Sequence, residues 1–374
     1  MLTRFDDYPI HQVPAPVAHP ATTDRNFYDR YFFNGYLPEA EVFFGAAMGL
    51  YPNRRVIDAA FSIVHEGRQK NIYASGRAPL ERGSTTIGPI TVDVIKPMER
   101  LRLTVGPNEH GIEADLTFTA RTVAVEEARQ TMHQGNVNFV DMTRLTQAGS
   151  WSGWVSIDGV RIDLEPTVAW GTRDRSWGIR PVGEPAGGAP APGAPQLFWL
   201  WGPANFATES LFTACFVNAE GTKDYQHSVV APIRTTDDDP VIDPGGIGQV
   251  FRDVDIQIDW QPGTRRARQA TLSFTPHGVG ATRVAVYDVL ATFQMAGIGY
   301  GHPTRTHGTW HGELSVVSDE WLLRDVDPNA RHNLHVQNIC RVTLDGVIGW
   351  GILEQIAIGP HPTGLTGVLE PYAG

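Results

Sequence analysis

The stretch GWVSIDGVRIDL, residues 153–164, reads as a single β-hairpin. Apolar and polar residues alternate on both sides of Asp158-Gly159, a pair that supplies the positive φ angles of a two-residue turn. RVTLDGVIGWGILEQI, residues 341–356, repeats the pattern around Asp345-Gly346. Each hairpin lies near the end of one half of the chain. Between the halves runs PVGEPAGGAPAPGAP, residues 181–195, a Pro/Gly/Ala segment without periodicity that reads as an exposed linker. Two related β domains are therefore expected, over residues 1–185 and 186–374.

The same alternation extends outward from the hairpins. ITVDVIKP, LRLTV and GIEADLTFTART read as strands in the first half, with GPNEH as a turn. FWLWG, SLFTACFVN, HSVVAPI, VDIQIDW, ATLSFTP, RVAVYDVLATF and GELSVVS do so in the second. Only PEAEVFFGAAMGLY (38–51) and VAVEEARQTMHQ (123–134) read as short helices. Many short strands punctuated by turns point to an all-β fold. Two tandem antiparallel β-barrels, each able to enclose an apolar ligand, is the architecture expected.

Composition narrows the function classes. The hydrophobic fraction of 41% and charged fraction of 19% are those of a folded globular chain. A net charge of −11, with no basic run, argues against a nucleic-acid partner. No uninterrupted apolar stretch is long enough to span a bilayer and the N-terminus lacks a signal-type core, so a cytoplasmic protein without membrane insertion is expected. A homodimer is compatible with the sequence. Cys215 and Cys340 both lie in apolar runs and read as free packed thiols, with a single disulfide left open. The chain carries no nucleophile elbow, phosphate loop or dinucleotide fingerprint.

Two stretches carry candidate chemistry. GYGHPTRTHGTWHGEL, residues 299–314, would place His307, His311 and Glu313 on one face if extended. That set could bind a metal, or the imidazoles could transfer protons or orient a substrate; the second reading is preferred, with no metal. GTRDRSWGIR, residues 171–180, holds a lone carboxylate among arginines. In an extended strand Asp174 shares a face with Trp170, Thr172 and Ser176, while Arg173 and Arg175 face the other way. An aspartate on an aromatic face inside a barrel would be driven toward its neutral form and could act as a general acid. The competing reading is a surface carboxylate bridged to Arg173 or Arg175.

WGTRDRSWG, residues 170–178, resembles the motif that ends the first barrel in the lipocalin-like superfamily of hydroxyneurosporene synthase (the carotenoid hydratase) and AttH-like proteins. FWLWGPANF, YFFNGY, GLYPNRRVIDAAFSIVHEGRQ, HGTWHGE and GWGILEQ resemble blocks of its uncharacterised bacterial branch. The resemblance implies two calycin-type barrels and a hydrophobic small-molecule substrate, isoprenoid, steroid or polycyclic. It also implies hydration, dehydration, isomerisation or cyclisation without a cofactor. Asp174 takes the motif's acidic position and Trp177-Gly178 its end; Arg175 stands where the family often has His. Expected catalytic residues are thus Asp174, His307 and His311. Trp170, Trp177, Arg175, Tyr300 and Glu354 are expected to contact substrate, with Trp170 or Trp177 facing a developing cation. The alternative is a non-catalytic carrier of an apolar molecule. A third reading, carbohydrate processing, would need a second carboxylate across the cleft.

Overall fold

The computed structural model describes residues 1–184, 187–189 and 193–373. Its regular structure is strand, broken only by short 3-10 turns. Two barrel-like sheets result, the architecture expected from the alternating pattern. The 185/186 boundary and Pro190–Pro192 of the linker lie outside the described residues. The linker's first residues are not simply exposed: Val182 is buried, and the Gly183 amide donates to the His307 carbonyl at 2.9 Å.

The first sheet runs from Arg68–Arg77 through Val56–His65, Val42–Tyr51, Phe27–Tyr36, Trp170–Ile179 and Val137–Ile157 to Ile112–Ala120, Arg100–Val105 and Ile90–Lys96. Its open edge is extended by Leu314–Leu322, a strand from the second half that pairs antiparallel with Arg68–Arg77. The second sheet closes on itself. Glu209–Val217 pairs with both Leu197–Trp201 and Lys223–Pro232, completing a barrel of eight strands. Both Asp-Gly hairpins form where the sequence places them, with Asp158 and Asp345 at positive φ. Both cysteines are free and buried.

Strand parity separates two apolar layers. Phe33, Phe44, Met48, Phe61 and Trp151 fill the first barrel. Their sequence neighbours Phe32, Phe43 and Ala47 face outward, where they meet Trp199, Trp201, Phe293 and Ile352 of the second barrel. A separate core therefore lies between the barrels, apart from the one inside each. This explains why both helix expectations fail. Val42–Tyr51 is buried at every position because one face fills the barrel and the other packs against its neighbour. Residues 123–134 hold two short strands, Val125–Glu126 and Gln130–Gln134, with Glu127 buried between them.

Candidate active site

Asp174 sits mid-strand, opposite Phe32 on one side and Thr146 on the other. Its neighbours in sequence do face the opposite way. Arg173 Nε donates to Gln147 Oε1 at 2.9 Å, and Arg175 pairs with Asp29 while its guanidinium lies 4.1 Å over the Tyr31 ring. The Asp174 side chain does not enter the first barrel, as the sequence suggested. It faces outward, into a cavity of about 700 Å³ between the two barrels. Phe32, Phe139 and Met142 of the first barrel and Trp199, Trp201, Phe216 and Ile356 of the second give that cavity apolar walls. Arg144, Arg180, Tyr300, His307, His335 and Glu354 supply its polar points.

Among the described residues, the Asp174 carboxyl receives no hydrogen bond and no ion pair. Burial pushes its pKa up to about 6, against a lowering by Arg144 and a further raising by Glu127. Arg144 fails to hold the value down because its own partner is Glu127, at 3.2 Å. Glu127 also accepts from Thr146 Oγ1 at 2.6 Å and from the Tyr225 hydroxyl at 2.9 Å.

His307 supplies the complementary group. Its Nδ1 lies 3.1 Å from the Gly299 carbonyl, which can only accept, so Nδ1 carries the proton and Nε2 keeps its lone pair. Burial, reinforced by Arg30 and Arg180, drives its pKa well below the ordinary value of 6.5. The ring is neutral at pH 7. Glu354 is different again. Burial alone would raise it, yet His335 at 2.9 Å, Gln337 at 2.7 Å and Trp199 at 2.9 Å together hold it below the usual glutamate value.

The structure thus gathers Asp174, His307, Tyr300 and Glu354 around one cavity. The other expected residues lie elsewhere. Trp170 is capped by the Arg121 guanidinium at 4.1 Å, Trp177 is 40% exposed, and Arg175 is committed to Asp29. His311, His307 and Glu313 do not share a strand face, because residues 299–313 form turns with Gly299, Gly301, Gly308 and Gly312 at positive φ. Glu313 pairs with Arg77 at the surface. His311 lines a second, small chamber of about 20 Å³ that adjoins the main cavity at His307. Trp199 and Trp201, which form part of the wall, were not among the expected substrate contacts, and sequence reading missed Arg144, His335 and Asp58. Asp58, in the small chamber, accepts from the Gly308 amide at 2.5 Å and is raised by burial to about 6 despite Arg30. The parity of FWLWG was the one available signal.

The chain belongs to a family of unknown function (DUF8625), whose model matches residues 2–366. No curated protein matches the sequence. Among solved structures, an AttH-like protein of Nitrosomonas europaea (NE1406) is similar, with a TM-score of 0.52 and 12% identity over 93% of this chain and 98% of that one. Kievitone hydratase from Nectria haematococca is similar with a TM-score of 0.48 and 11% identity, over 88% of each chain. CghA with Sch210972 gives a TM-score of 0.49 and 12% identity, over 89% of each. At these identities the likeness is one of fold, and the fold of the AttH-like protein agrees with the one the resemblance implied. No helix among the described residues is long and apolar enough to cross a membrane.

Proposed function

We propose that the protein is a hydro-lyase or isomerase that moves a proton onto or off a hydrophobic alkene or alcohol, with Asp174 as acid and His307 as base. The observation that carries this reading is an unpaired carboxyl with a pKa of about 6 in an apolar cavity large enough for a multi-ring molecule. A carrier would need no such group. Ionising it there costs free energy that binding an inert apolar ligand does not recover.

In the hydration direction, Asp174 gives its carboxyl proton to one alkene carbon. The π pair forms the new C–H bond and leaves a cation at the other carbon. Trp201 and Phe32, edge to face at 5.9 Å, supply an aromatic wall for that cation in place of Trp170 and Trp177. Water bonds through oxygen to the cationic carbon and loses its proton to His307 Nε2. The small chamber has room for one water, and among the described residues the buried Arg30 Nε and Nη1 and His311 Nε2 on its wall have no partner. Dehydration runs through the same groups in reverse. Loss of a different proton from the cation gives isomerisation. Proton transfer and water are all that this chemistry requires.

The test is a panel of terpenoid, steroid and fatty alkenes and alcohols, followed by mass spectrometry for gain or loss of water or a shifted double bond. Wild type is expected to convert one class, and Asp174→Asn to lose at least about a hundredfold in rate. A panel member held tightly but unchanged by both proteins would make the cavity a carrier site.

A further inference from the structure

Arg180 follows the strand that carries Asp174, and its guanidinium enters the same cavity. Its contacts are those of a cation lacking a counterion. Nη2 donates to the Tyr300 hydroxyl at 3.4 Å, and the charge lies over the rings of Tyr28 at 4.6 Å and Tyr300 at 5.4 Å. Nε is buried without a partner among the described residues. Arg30, on the adjacent strand, repeats the situation: Nη2 donates to the Ile298 carbonyl at 3.1 Å, and Nε and Nη1 have no partner among the described residues. Neither arginine forms an ion pair among the described residues. Arg54, Arg144 and Arg175, nearby in the same fold, each hold a carboxylate.

The acidic groups in reach are otherwise engaged. Glu354 is saturated by three donors, and Asp58 accepts from Gly308 and Tyr51. Asp174 is uncharged whenever it is ready to donate its proton. Burying a guanidinium without a partner is costly, whereas an anionic oxygen brought by a ligand would complete it with charge-assisted hydrogen bonds. We infer that the ligand of this cavity is an amphiphile, an apolar body bearing one carboxylate or enolate oxygen, and that Arg180 is the residue that holds this anion. The inference rests on reading the same cavity as the reaction site and adds the substrate's chemical class. Apolar walls seat the body beside Trp201, and the anchored anion fixes which carbon meets Asp174.

The experiment compares 1-pyrenebutanoic acid with 1-pyrenebutanol at about pH 5.5, where Asp174 is mostly protonated and the ligand's carboxyl mostly ionised, read by quenching of protein tryptophan fluorescence. Wild type is expected to bind the acid at least about tenfold more tightly than the alcohol, the difference one charge-assisted hydrogen bond provides. Arg180→Met should abolish that preference and leave the alcohol's affinity within about twofold, which also shows that the cavity is intact. Arg180→Lys should restore part of the preference. Equal binding of acid and alcohol by wild type, or a preference that survives in Arg180→Met, overturns the inference. Neither result depends on turnover. A failed proton transfer at Asp174 and a failed anion site at Arg180 are therefore told apart.

Discussion

At Asp174 the fold works against ionisation, and this has a consequence for stability. Its pKa of about 6 in the folded protein exceeds the ordinary 3.8, so the native state binds more protons than the unfolded chain between those values. Stability contributed by the neutral carboxyl is complete below about pH 4 and is lost as pH rises through about 6. Asp58 is also raised to about 6 and adds a decline in the same window. Asp174→Asn should therefore be more stable than wild type at pH 8, by on the order of 2 kcal/mol, and no more stable at pH 4. Denaturant unfolding at the two pH values checks this. An equal difference at both would show that the carboxyl is not destabilised by burial. The face of Asp174 was legible, because a two-residue period fixes it once the strand is granted. Its electrostatics were not. Arg144 and Glu127 reach the site from other segments, and no local pattern announces that Arg144 is already paired.

Within the strand, the glycines of WGTRDRSWG have structural work of their own. A Cβ on Gly171 would collide with the Asn34 carbonyl and with the indole Nε1 of Trp151, which itself donates to that carbonyl at 2.9 Å. Gly178 has φ +132° and lies against the Asp141 carbonyl. These close approaches hold the strand carrying Asp174 flush between its two neighbours. Gly171→Ala is expected to cost roughly 1–3 kcal/mol by forcing the strands apart, measured by thermal or denaturant unfolding. A neutral substitution would mean that the approach is looser than described. Elements with one buried face were read correctly from alternation; of those buried on both, FWLWG and SLFTACFVN were read as strands but VFFGAAMGLY was not. In VFFGAAMGLY a continuous apolar run fits a helix as well as a doubly buried strand, and only the docking of the second barrel decides it. The His-rich stretch failed for another reason. Four glycines at positive φ turn the backbone, so its residues never acquire a strand's parity.

At the scale of the molecule, function depends on how two β units meet. Neither barrel encloses the cavity; each supplies one wall, which is why the sequence of either half could name Asp174 or FWLWG but not their encounter. The halves also exchange structure. Leu314–Leu322 covers the edge strand Arg68–Arg77, and Arg121 donates across to Asn205 Oδ1 at 2.9 Å and to the Phe206 carbonyl at 2.7 Å. A chain of residues 1–185 alone would bare that edge and the outward face of Phe32 and Phe43. It should self-associate rather than run as a monomer in sedimentation, and adding residues 186–374 should suppress this. A monodisperse monomer would show that the strand from the second half is dispensable. The most direct measurement of the central claim, that Asp174 protonates carbon in the cavity between the barrels, is label transfer from heavy water. Wild type incubated in heavy water with its substrate should place one deuterium on a product carbon, and Asp174→Asn should place none. Product labelled equally by both proteins would contradict the account.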